Sequence, residues 1–232
     1  MKTILITGIS RGLGKELFEL FISKGYNVYG ILRNKLLAQK LESELTKNGK
    51  IILTDLSTDE SINSIQTVVG KNTIDLLINN AGIGGKSHLI DKIESEEILD
   101  LFNIHCLGVF RTTKALQANL LKANEPIVLN LNSRLGSITR QSNRTYKNIN
   151  VSYSYRIAKA AQNMLTNCLR TEFKDEIKFI SIHPGKMKTD IAQVDADIEP
   201  KTIAYKILEA YENKKFELEN GIVELDKEII EW

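Results

Sequence analysis

The sequence predicts an α/β fold: a seven-stranded parallel sheet, doubly wound with helices on both faces, in one domain over residues 1–232. Two observations carry that reading. Short β-rich apolar runs alternate with longer helical ones from end to end, the rhythm that gives a sheet covered on both sides. No internal repeat, low-complexity tract or Pro/Gly/Ser-rich linker divides the chain. Right-handed crossovers then make the doubly wound order the simplest topology.

The first strand is Thr3–Thr7, and the turn after it opens into a helix over Gly12–Lys24. A strand at Asn27–Leu32 and a helix at Lys35–Lys47 follow, then a strand at Ile51–Thr54 and a helix at Asp59–Val69. The fourth strand, Asp75–Asn79, precedes a long helical pattern over Ser95–Ala123. After the fifth, Pro126–Leu131, the polar stretch from Thr139 to Val151 reads as a solvated excursion. A helix over Ser152–Phe173, a strand at Ile177–Ile182, a helix at Pro200–Asn213 and a last strand at Gly221–Leu225 complete the series. Ligands of such sheets bind beyond the carboxyl ends of the strands, where strand order reverses. Functional residues are therefore expected just after strands one, four, five and six.

Composition narrows the function classes. Basic (31) and acidic (29) residues nearly cancel and are scattered, so nothing marks a nucleic-acid partner. No run approaches the roughly 18 apolar residues that span a bilayer. The N-terminus enters a strand at once, which leaves no room for a leader; a soluble, cytoplasmic protein is expected. Cys106 and Cys168 fall in apolar, helix-like runs without C-x-x-C spacing. Buried packing is predicted for both, with neither a disulfide framework nor a metal site.

Thr7-Gly8-Ile9-Ser10-Arg11-Gly12-Leu13-Gly14 follows the first strand and opens directly into a helix. Glycines at Gly8, Gly12 and Gly14 allow a tight turn and close approach of backbone to a pyrophosphate. The helix N-terminus then offers free N–H groups and a positive dipole end to the anion. At the end of the second strand an acidic residue would bind a ribose 2′-hydroxyl and favour NAD, but Arg33 stands there. Arg33 and Arg11 together suit a 2′-phosphate through charge-assisted contacts. NADP(H) is expected, with NAD(H) the second choice.

Tyr155 and Lys159 lie four residues apart in a helix-forming run and so share one helix face. An ammonium beside a phenol is expected to draw its pKa down from about 10 and make it a proton donor.

Taken with Asn79-Asn80-Ala81-Gly82 after the fourth strand, and Pro184-Gly185 with Thr189 after the sixth, these motifs give an end-to-end resemblance to the short-chain dehydrogenase/reductase family, a Rossmann fold. Asn132-Ser133-Arg134-Leu135-Gly136-Ser137-Ile138, Tyr153-Ser154-Tyr155-Arg156 and the ending Ile230-Glu231-Trp232 resemble the C-factor-like and sniffer-type carbonyl reductases within it. The resemblance implies that Tyr155 exchanges a proton with a carbonyl oxygen, that Lys159 tunes Tyr155 and binds the nicotinamide ribose, and that Ser133 orients the carbonyl. It places Ser10, Leu13 and the glycines on the cofactor phosphates, Asp55 and Leu56 at the adenine, and Asn80, Ala81 and Gly82 beside the adenine-side ribose. Pro184, Gly185 and Thr189 are then expected to line the nicotinamide pocket. The implied substrate is a small ketone, aldehyde or secondary alcohol, and the implied assembly a homodimer or homotetramer. The C-factor likeness also carries a second reading, a dinucleotide-binding signalling protein with little or no turnover.

Two positions depart from the family pattern: His105 stands where an asparagine is usual, and Ala158 where a serine usually precedes the lysine. Histidine both donates and accepts, so two readings stand, a proton relay serving Lys159 and a simple buried histidine. Asp55 and Thr189 also suit helix caps, and His183 matches a structural position. Met187 to Glu199 holds no recognisable ligand signature, so the substrate is not named by the sequence.

Overall fold

The computed structural model describes residues 1–45, 47–147, 150–188, 198–216, 221–225 and 229–232. The first half runs β1 (Thr3–Thr7), α1 (Gly12–Ser23), β2 (Asn27–Leu32), α2 (Lys35–Glu44), β3 (Gly49–Leu53), α3 (Glu60–Val69) and β4 (Leu76–Asn79). The second half runs α4 (Ser95–Phe102), α5 (Gly108–Leu120), β5 (Ile127–Leu131), α6 (Ile138–Ser142), α7 (Tyr153–Phe173), β6 (Lys178–His183), α8 (Pro200–Glu212), β7 (Ile222–Glu224) and β8 (Ile229–Ile230). The strands form one sheet in the order β3-β2-β1-β4-β5-β6-β7-β8. Strand order therefore reverses between β1 and β4, the expected place for a ligand.

Side chains alternate across a strand, and both faces of this sheet are covered. Ile4 and Ile6 pack with Leu17, Phe18 and Phe21 of α1 and Ile203 and Ile207 of α8. Leu5 points the other way, with Ile65 of α3, Leu116 of α5 and Leu169 of α7. Each such buried side chain contributes roughly 1.5–3 kcal/mol, which explains the near-continuous apolar strands.

Several expectations need correction. Among the described residues the sheet has eight strands rather than seven, because Ile229–Ile230 pairs antiparallel with β7 through Ile222↔Ile230 and Val223↔Ile229. A run of two residues is too short for periodicity to register. The pattern over Ser95–Ala123 is not one helix: between α4 and α5 the chain widens into a π-helical turn, Asn103–Leu107, in which the Gly108 N–H donates to the Asn103 carbonyl. One wide turn barely changes apolar spacing, so the pattern hid it. The stretch after β5 is largely exposed among its described residues, as expected, but it is folded and anchored rather than a plain loop. Ser137 caps α6 by accepting from the Arg140 N–H at 3.1 Å, and buried Tyr146 donates its phenol proton to the Arg134 carbonyl at 2.6 Å. Cys106 is buried as expected, but Cys168 is exposed; it lies four residues from exposed Met164, on the outward face of α7.

Candidate active site

At the carboxyl ends of the strands lies a cleft of about 730 Å³. One end is walled by Gly8, Ser10, Arg11, Gly12 and Leu13 of the glycine loop, by Arg33 after β2, and by Asp55 and Leu56 after β3. Asn80, Ala81 and Gly82 after β4 line its middle, and His105, Tyr155, Lys159 and Pro184 its far end. Gly14 sits behind the loop, Ser133 is buried beside Tyr155, and Gly185 follows Pro184 with φ +94. Thr189 lies outside the described residues.

The loop forms because Gly8 takes φ +73 and lets β4 approach; a Cβ there would stand 2.7 Å from the Ala81 Cα. Asn80 and Ala81 both donate their N–H groups to the Thr7 hydroxyl at 2.9 Å. The Asn80 side-chain amide donates to the carbonyls of Thr7 and Gly8 at 3.0 and 3.2 Å. Asn80 thus clamps the loop rather than offering its side chain to a ligand. The loop's N–H groups at the start of α1, with the Arg11 and Arg33 side chains in the same cleft, fit a dinucleotide phosphate.

Arg33 is mostly exposed and stands 3.9 Å from Asp55. Asp55 accepts the Ser57 N–H at 2.9 Å. Partial burial pushes its carboxyl up, but the hydrogen bonds from Ser57 and then the Arg33 charge hold it below the ordinary value. The helix-cap reading of Asp55 falls, since α3 begins at Glu60 with Asp59 at its N-cap position.

Ser152 caps α7, accepting the Tyr155 N–H at 3.2 Å, and this start sets the register that turns Tyr155 and Lys159 to the cleft. The Ser133 hydroxyl accepts the Leu135 N–H at 3.2 Å and also hydrogen-bonds the Tyr155 phenol. Lys159 Nζ lies 5.7 Å from the centre of the Tyr155 ring. It donates to the Leu131 carbonyl at 2.6 Å and to Gln162 Oε1 at 2.9 Å. The expected downward pull on the phenol is absent. Tyr155 keeps an edge open to the cleft, yet burial pushes it up to about 12, with the Ser133 hydrogen bond opposing. Burial brings Lys159 down to about 7. The amine is turned to two carbonyl oxygens rather than to the phenol oxygen.

The π turn delivers His105 to the same place. Its Nε2 lies 2.8 Å from the Ile83 carbonyl oxygen and 3.3 Å from the Ile83 nitrogen, so the Ile83 peptide holds the ring through either of its polar groups. Nδ1 is buried without a hydrogen-bond partner among the described residues. The ring meets Tyr155 edge to face, with centroids 5.4 Å apart. Burial, then the Lys159 charge, lowers the imidazole to about 3. Enclosure favours the neutral imidazole, which keeps one donor and one acceptor nitrogen. Asn103, two residues earlier, faces elsewhere: it donates to the Ser57 carbonyl at 2.9 Å and accepts from Arg111 at 2.7 Å.

Sequence reading missed three supports of this site. Gln162 holds Lys159. Asn132 donates to the Lys159 carbonyl at 3.3 Å and hydrogen-bonds Asn163, which accepts from Ser181 at 2.7 Å. Arg111 joins Asp59, the Leu56 carbonyl and Asn103 at 2.6–2.9 Å. Polar residues on the sheet-facing side of α5 and α7 were the available signal, since buried polar groups are kept only when satisfied.

A phosphate-binding helix start that shares its cleft with an enclosed tyrosine and lysine is the arrangement of a dinucleotide-dependent oxidoreductase. Residues 2–199 match the family model described as short chain dehydrogenase, and the chain belongs to that family of NAD(P)-dependent enzymes. Among solved structures it is similar to the carbonyl reductase Sniffer of Drosophila melanogaster, at 29% identity and a TM-score of 0.85 with all of both chains covered. The 3-oxoacyl-(acyl-carrier-protein) reductase FabG of Vibrio cholerae is 27% identical over 195 residues, 83% of this chain and 76% of its own. An NADPH-dependent 3-dehydrocapnine reductase of Ornithobacterium rhinotracheale is 28% identical over 202 residues, 82% and 67% of the two chains. Among the described residues no helix is long and apolar enough to cross a membrane.

Proposed function

We propose that the protein is an NADP(H)-dependent oxidoreductase acting on a ketone, an aldehyde or a secondary alcohol. The observation that carries this is the single cleft running from Arg33 to Tyr155, with Lys159 and His105 on the same wall. The likeness to a carbonyl reductase and to a reductase named for NADPH supports it.

A bound nicotinamide supplies or takes up the hydride. Tyr155 donates its phenolic proton to the carbonyl oxygen during reduction and withdraws it during oxidation. At about 12 the phenol is fully protonated at neutral pH, the form needed for donation. Ser133, already bonded to that phenol, orients the same carbonyl oxygen. Lys159 supplies donors toward the cofactor side from the next turn of α7, and Arg33 with Arg11 holds the 2′-phosphate.

The test is NADPH oxidation across a panel of ketones and aldehydes, with Tyr155→Phe as the control. Turnover that depends on the phenol supports the reading, and turnover that survives its removal overturns Tyr155 as the acid. Tight NADPH binding with no turnover on any carbonyl would instead favour the dinucleotide-binding signalling protein.

A further inference from the structure

Lys159 is 4% exposed and Gln162, three residues on along α7, is 1% exposed. A buried amine needs partners for its protons, and here two neutral oxygens accept from it, the Leu131 carbonyl at 2.6 Å and Gln162 Oε1 at 2.9 Å. The titratable groups facing the amine are Tyr155 on its own helix and His105 on the π turn. The end of β5 meets Lys159 with the neutral Leu131 and Asn132, and the 134–136 turn meets it with the Gly136 backbone. Among the described residues no carboxylate pairs with it, and burial is the cause that moves its titration.

We propose that Gln162 is a positioning residue for Lys159: with the Leu131 carbonyl it holds the amine in place and sets how readily it keeps its third proton. The inference rests on reading Lys159 as part of the reductase site. A backbone carbonyl cannot be varied by mutation, whereas Gln162 is the one side-chain acceptor the amine has among the described residues. An amide dipole favours the ammonium moderately. A carboxylate in its place favours it strongly, and a thioether not at all.

The experiment follows the Lys159 titration directly, by NMR of the full chain carrying ¹³C-labelled lysine, with the signal assigned through its loss in Lys159→Met. In Gln162→Glu the midpoint should rise by about one unit or more, and in Gln162→Met it should fall by about one unit. The pH profile of NADPH-dependent turnover should move in the same two directions. Midpoints that stay in place, or move together in one direction, overturn the proposal. If one variant does not fold, the sign of the shift in the other decides. Opposite shifts in a protein that turns over no carbonyl would uphold Gln162 while sinking the reductase reading, so the two can fail separately.

Discussion

Tyr155 and Lys159 are one helical turn apart, but enclosure, more than their mutual charge, governs how each titrates. Replacing Tyr155 with Phe removes the proton donor while leaving the ring to pack against His105. Turnover should fall roughly 100- to 10,000-fold with little change in NADPH affinity, measured by fluorescence titration. Arg33 projects into the cleft beside Asp55 with no acid at the end of β2. Arg33→Ala should raise the KM for NADPH about tenfold or more and leave that for NADH nearly unchanged, since a charge-assisted hydrogen bond contributes about 1.5–3 kcal/mol. Steady-state kinetics with both cofactors decides it. At this scale the residue identities were legible, because glycine loops and Tyr-x-x-x-Lys spacing are local. Their titration was not, because it depends on enclosure by Leu131, Gln162 and His105, which come from distant segments or from a face that spacing alone does not reveal.

The π turn at Asn103–Leu107 divides two tasks between neighbouring residues. Asn103 faces Arg111 and the loop after β3, and His105 faces Tyr155. Arg111 ties that turn to Asp59 and Leu56 from a nearly buried position. Arg111→Met should cost about 2–3 kcal/mol by thermal or urea unfolding, chiefly from the buried acceptors left unpaired at Leu56 and Asn103. Gly82 is the matching element on the other side: a Cβ there would stand 2.5 Å from His105 Cε1. Gly82→Ala should therefore displace the imidazole from the Ile83 carbonyl and lower stability by about 1–3 kcal/mol, read as a drop in Tm. The helices were legible as amphipathic runs. The wide turn between α4 and α5 was not, since a single extra residue per turn leaves the hydrophobic pattern almost intact.

At the scale of the whole molecule, His105 is one source of pH-dependent stability. Its folded pKa is about 3 against an ordinary 6.5. As pH falls below 6.5 the unfolded chain takes up a proton that the folded chain refuses, so stability declines until about pH 3. The loss is on the order of a few kcal/mol. His105→Asn should flatten that slope in urea unfolding measured from pH 7 to pH 3, and an unchanged slope would remove His105 as its source. The doubly wound sheet was readable from alternation alone, yet the polar chain through its centre was not. Thr112, Asn79, Asn130 and Thr166 are linked by hydrogen bonds of 2.7–2.9 Å across four elements, a pairing fixed only when the strands come together. The antiparallel β8 carries one last consequence. The sheet would otherwise end on β7, a parallel strand with a free ladder of backbone groups. Among the described residues it ends instead on a strand of two residues, Ile229–Ile230, and very short edge strands are poor templates for another chain. At the opposite margin β3 carries Lys50, a charge that discourages an incoming strand. Both margins thus carry features that disfavour edge-to-edge pairing between copies of the chain.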